Sequence, residues 1–208
     1  MKFVSDAANN NPNVHLFSLG KTQTLGYDIP ILIFTSSTIP EGSTFEQAAK
    51  VIRENNKVTF FYQGHIHDDE VSSSEGAMAF ILEMAGAYGA QFLDKVDVVC
   101  IPRFNVEGAA RNTRASLSPV IDMDNDHLRS RAPEIRLVHK AYLEIMPEFV
   151  MDGHEIDYYS VSPAYTAGTI AYATGGITDL EATPSTSICF CRLYCVFKVL
   201  WHILVCEV

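Results

Sequence analysis

The apolar positions of this chain switch repeatedly between a two-residue period and the three-to-four-residue period of a helix. Residues 14–17 and 29–34 are short runs rich in β-branched and aromatic side chains. They predict two strands, separated by a polar turn through Gly20, Lys21 and Gly26. From about residue 44 to residue 54 the period changes, and Phe45, Ala48, Ala49 and Ile52 fall on one helical face. Residues 57–62 return to strand character. Residues 75–88 carry Met78, Phe80, Ile81, Met84 and Ala85 at helical spacing, and residues 96–101 form another apolar strand. A long irregular stretch over 102–131 precedes a helix at 133–145, which leads into a strand-like run ending at Gly153 and His154. Strands alternating with helices predict an α/β fold, a three-layer sandwich whose mixed, largely parallel sheet is flanked by helices.

Composition narrows the picture. At 208 residues the chain is one domain's worth, and its 48% hydrophobic and 19% charged content is ordinary for a globular protein. A net charge of −10 without clustered Lys or Arg excludes a nucleic-acid-binding surface. Residues 1–6 lack the apolar segment of a secretory signal. A cytoplasmic location is expected, with a secreted origin left open if the N-terminus is incomplete. Residues 158–178 carry no formal charge and suit a long surface loop beside a site.

The end of the chain differs from the rest. Residues 188–208 are apolar, hold Cys189, Cys191, Cys195 and Cys206, and contain the only tryptophan, Trp201. We therefore separate a domain over 1–187 from a tail over 188–208. Arg192, Lys198 and His202 interrupt the tail, and each buried cation would cost about 2.5–3.5 kcal/mol, which disfavours a membrane anchor. A terminal core element, or an altered tail such as a frameshift produces, fits better. The cysteine spacing lacks a second cluster to complete a structural zinc site, and Cys100 is expected to be a buried thiol.

Candidate chemistry concentrates in Gln63-Gly64-His65-Ile66-His67-Asp68-Asp69-Glu70, on the turn after the predicted strand at 57–62. Ser72, Ser73 and Ser74 follow and are expected to cap the exposed amides of a helix start. Open α/β sheets place ligands at such strand ends. A His and a Glu three residues apart suit zinc, although alone they fit a polar loop equally well, and His65-x-x-Asp68 is a competing pair. His65 is expected on the same strand face as His67. His154 ends a second strand-like run. If the two strands lie side by side, His67, Glu70 and His154 meet at one place, with room left for a water. Zinc there would lower the pKa of that water from about 15.7 to about 7 and polarise a carbonyl.

Four ordered segments extend this reading: Gly64-x-x-His67-x-x-Glu70, Ile101-Pro102-Arg103-Phe104-Asn105-Val106-Glu107-Gly108, Asp122-Met123-Asp124-Asn125-Asp126, and Asp152-Gly153-His154-Glu155. In order and spacing they resemble the His-x-x-Glu, Asn-Pro-Asp-Gly, Asp-Leu-Asn-Arg and Asp-x-His segments of the zinc carboxypeptidase family (carboxypeptidase A-like metallopeptidases). The likeness covers residues 14–157. It implies one zinc per chain, held by His67, Glu70 and His154. It also implies an arginine that polarises the scissile carbonyl, a role assigned to Arg114, with Arg111 as the alternative and as a substrate-binding candidate. The implied activity is hydrolysis of a peptide or related amide bond. An amidase or deacylase acting on small acyl amino acids uses a similar fold and ligand set.

Departures from the family pattern qualify that implication. Asn105-Val106-Glu107-Gly108 lacks the proline and has a longer acid, a mild change in a turn. The Asn-Arg pair that grips the substrate's terminal carboxylate aligns with Asp124 and Asn125, so the substrate-binding positions lack a bidentate guanidinium and carry a repelling carboxylate. Arg129 or Arg131 could substitute. The family's general-base glutamate has no match here: Glu155, Glu181 and Glu207 all stand elsewhere. The chain also begins late, without the helix that usually opens the domain. The alternative expectation is therefore a truncated, catalytically incomplete zinc-binding domain.

Overall fold

The computed structural model describes residues 1–154. Five strands form one sheet in the order β1-β2-β4-β3-β5: β1 Val14–Lys21, β2 Asp28–Phe34, β3 Val58–Gly64, β4 Val96–Ile101 and β5 Phe149–Gly153. The pairing is mixed. β1 with β2 and β2 with β4 run antiparallel, whereas β3 runs parallel to both β4 and β5.

Strand alternation sends side chains to two separate cores, because successive residues point to opposite faces. Ile29, Ile31, Ile33, Phe61, Val99 and Ile101 fill one core. Leu32, Phe34, Phe60, Tyr62, Val98 and Cys100 fill the other. Helices α2 (Phe45–Glu54) and α6 (Pro133–Ile145) cover the first face through Phe45, Ala48, Ile52, Ile135, Val138 and Ala141. Helices α1 (Lys2–Asn9) and α3 (Val71–Ala85) cover the second through Val4, Ala77, Phe80, Ile81 and Met84. The result is the expected three-layer α/β sandwich. Cys100 is a free, fully buried thiol, and burial pushes its pKa up.

The structure corrects several local expectations. A helix does open the described chain, since α1 spans Lys2–Asn9 and covers the sheet. The stretch 102–131 contains α5 (Val106–Arg111) and a short 3-10 turn at Asp124–Asp126; α4 (Ala87–Ala90) follows α3 directly. Ser73 and Ser74 do not cap. Helix α3 starts at Val71 without a side-chain cap, and Ser73 and Ser74 donate their hydroxyls back to the carbonyls of Glu70 and Val71. No helix among the described residues is long and apolar enough to cross a membrane. The cysteine-rich tail, the uncharged 158–178 segment and Glu155, Glu181 and Glu207 lie outside the described residues.

Candidate metal centre

Parallel pairing of β3 with β5 builds the site. The register sets Gln63 opposite Asp152 and Gly64 opposite Gly153, so the residues leaving both strands emerge side by side. Glycine at 153 is required by this closeness, because a Cβ there would come within 2.7 Å of Tyr62 Oη. After Gly64 the backbone leaves the strand at once. His65 takes a φ of +62°, so it does not share a strand face with His67. The turn then delivers His67 and ends at Glu70, the residue that immediately precedes α3.

Three side chains converge there. His67, Glu70 and His154 each offer one ligand atom, and these atoms lie within 4.8 Å of one another. Nδ1 of His67 is 2.8 Å from Glu70 Oε1, and Nδ1 of His154 is 2.9 Å from Glu70 Oε2. The far nitrogens are also held. Nε2 of His67 lies 2.9 Å from Asp122 Oδ1, and Nε2 of His154 lies 3.2 Å from Asp152 Oδ2. Carboxylates behind histidines in this way fix ring orientation and raise ligand basicity in metal sites. Two imidazole nitrogens and a carboxylate oxygen match the donors zinc takes, so the set fits a zinc ion.

The electrostatics follow from that packing. Ionised carboxylates only accept hydrogen bonds, so an imidazole flanked by two of them is favoured as the doubly protonated cation. Burial opposes a charge on His154, yet Asp152 and Glu70 outweigh it and push its pKa up to about 10. His67 is raised in the same way by Glu70 and Asp122 against the cost of burial. Asp122 is held low: burial would raise it, but His67 and Arg114 prevail.

Arg114 reaches this centre and Arg111 does not. The Arg114 guanidinium donates to Glu70 Oε1 at 3.1 Å and to Asp69 at 3.1 Å, and stands 3.6 Å from Asp122. Arg111 is exposed in the last turn of α5. Asp124 lies near Asp152 and His154, and its carboxylate joins them as a second group of potential ligand atoms within 4.8 Å. Asn125 is exposed. Arg131, offered above as a substitute, is engaged by the buried Asp126, and Arg129 is exposed. His65 does not join the converging set; its Nε2–H donates to the Asp68 carbonyl at 3.1 Å.

Sequence reasoning assigned no role to Asp69, Asp122 or Asp152 as partners of the site, although Asp122 and Asp152 stand inside segments already singled out. The signal available was their acidity next to a candidate ligand. Asn105 was also passed over. It caps α5 by accepting from the Gly108 amide at 2.8 Å and donates to the Arg114 carbonyl at 3.2 Å.

Comparison with known proteins identifies the family and the fold. The model of the zinc carboxypeptidase family matches residues 1–133, which include His67, Glu70 and Arg114 and stop short of His154. Carboxypeptidase 2 of Trichophyton tonsurans is 24% identical over 103 residues, covering 49% of this chain and 19% of that protein. The chain thus spans about a fifth of the length of the relatives it matches by sequence. Among solved structures, a metallo-carboxypeptidase from Burkholderia cenocepacia superposes with a TM-score of 0.62 at 15% identity, over 74% of this chain and 39% of that one. Carboxypeptidase A from Helicoverpa armigera gives 0.60 at 15% identity, over 74% and 44%. These neighbours share the fold. With the family match covering well over half of its length, the chain belongs to the zinc carboxypeptidase family.

Proposed function

We propose that this chain is a zinc-dependent hydrolase of peptide or related amide bonds, with His67, Glu70 and His154 holding the ion. The observation that carries the reading is the meeting of His67, Glu70 and His154 from two parallel strand ends, with Asp122 and Asp152 behind the two imidazoles. Zinc, when bound, supplies a Lewis acid and lowers the pKa of water to about 7. The protein's own groups do the rest. Asp122 and Asp152 orient the rings so that both Nδ1 atoms face Glu70. Arg114, steered by Asp69, Glu70 and Asp122, presents a fixed cation where negative charge would develop on a scissile carbonyl.

A second reading has its own support. Glu70, Asp69, Asp122 and Asp152 each face an imidazole or Arg114, so none of them is free to take a proton from water. That commitment of the four acids, all among the described residues, fits a catalytically incomplete zinc-binding domain. The Asp124 carboxylate beside His154 further favours an amidase or deacylase whose substrate carries no carboxylate at that position.

Metal content of the purified protein tests the centre. One zinc per chain, lost in His154→Ala, is the expected result, and a folded wild type without zinc would overturn the hydrolase reading. Turnover of C-terminal peptides or N-acyl amino acids by the zinc-loaded chain then separates a hydrolase from an incomplete zinc-binding domain.

A further inference from the structure

The turn after β3 buries more polar groups than the two it brings to the metal centre. The His65 side chain is 3% exposed and that of Asp68 is 6% exposed, and neither belongs to the converging set. His65 Nδ1 and Asp68 Oδ2 are both buried without a hydrogen-bond partner among the described residues. Burying such groups unpaired is unfavourable, and His65, a residue with a side chain, also takes a left-handed φ of +62°. Simple packing would not retain this combination.

The remaining contacts of the pair all fasten the turn. His65 Nε2–H closes it by donating to the Asp68 carbonyl at 3.1 Å, across the segment that contains His67. The His65 carbonyl accepts from the Asn105 amide at 3.0 Å, and Asn105 Nδ2 donates to the Arg114 carbonyl at 3.2 Å. The Asp68 carboxylate itself stands 3.7 Å from His65 Nε2, so ring and acid face each other inside the turn. The turn that carries His67 and Glu70 and the loop that carries Arg114 are therefore joined through residues that touch neither the ion nor a substrate.

We propose that His65 and Asp68 form a buried latch, outside the ligand set, that sets the path of the turn from His67 to Glu70 and ties it to the Arg114 loop. This rests on the metal centre proposed above. Both are positioning residues: loss of the ring frees the turn, so ligand spacing relaxes and metal binding weakens although all three ligands remain.

Cobalt(II) and zinc titrations of the full chain test this, using chelator competition for affinity and the visible cobalt spectrum for ligand geometry. Wild type is expected to take up one cobalt, and His154→Ala none. His65→Gly removes the ring and relieves the left-handed backbone. It should bind about 10–100-fold more weakly with an altered cobalt band. His65→Asn tolerates the same φ and can still donate to the Asp68 carbonyl, so it should recover most of the affinity. Should His65→Gly fail to fold, the near-isosteric Asp68→Asn is expected to weaken binding in the same direction. Wild-type affinity and band in whichever of these two variants folds would overturn the latch alone. A wild type that binds no cobalt would overturn the metal centre and the latch together.

Discussion

Glu70 meets His67 and Arg114 through Oε1 and His154 through Oε2. Arg114 is thus tied to the candidate ligand set without belonging to it. Arg114→Ala should keep zinc at one per chain while turnover falls about 10²–10³-fold, the usual cost of one oxyanion-stabilising donor; metal analysis beside a peptidase assay checks both halves. Glu107 shows a different use of a buried carboxylate. It accepts from the backbone amides of Thr24 and Leu25, at 2.8 Å and 2.5 Å. Burial would raise its pKa, but the Thr22 hydroxyl and these amides hold it below the ordinary 4.5. A depressed folded pKa means stabilisation that is complete above 4.5 and lost as pH falls through the folded value. Glu107→Gln should therefore cost about 1.5–3 kcal/mol in urea denaturation at pH 7, and the gap to wild type should narrow at pH 3. At this scale the sequence named three ligand candidates, His67, Glu70 and His154, and the fold brings their side chains together. It could not show that the lengthened acid at 107 clamps the 22–25 loop, because those partners lie 82 and 83 positions away.

Elements with both faces buried were the most legible. β2, β3 and β4 are mostly apolar at both parities, because residues of each parity meet a different core. Helices α2 and α6 declared themselves by period. Thr44 adds a capping box with Gln47, and Pro133 opens α6 at a position where its missing N–H is not needed. Helix α5 escaped notice because its six residues are too few for a helical period to emerge. Its anchor is local and steric: a Cβ on Gly108 would collide with the Asn105 side chain and lie 2.6 Å from the Thr113 carbonyl. Gly108→Ala should displace the Asn105 cap and lower stability by about 1–3 kcal/mol, measurable as a reduced denaturation midpoint at unchanged m-value. The serines at the head of α3 show the converse error. Their composition suggested caps, but the entry from Glu70 leaves the Ser73 and Ser74 hydroxyls facing carbonyls instead of amides.

For the molecule as a whole, the candidate metal centre lies where the parallel pairing of β3 with β5 brings strand ends together, and metal binding there should act on the entire fold. Free zinc at 100 times its Kd stabilises a folded state that alone binds it by about 2.7 kcal/mol, which for a domain of this size raises Tm on the order of 5–10 °C. Calorimetry should show that rise in wild type, its reversal by a chelator, and no rise in His154→Ala. By itself the sequence determined the strands and main helices, through apolar period, and the His-x-x-Glu turn, through spacing along one short segment. Only the tertiary structure decided which arginine reaches Glu70, which acids stand behind the two histidines, and that His65 faces Asp68 and not the ligands. Those choices depend on strand register and on left-handed turns between residues far apart in the chain, and neither leaves a periodic trace in the order of side chains.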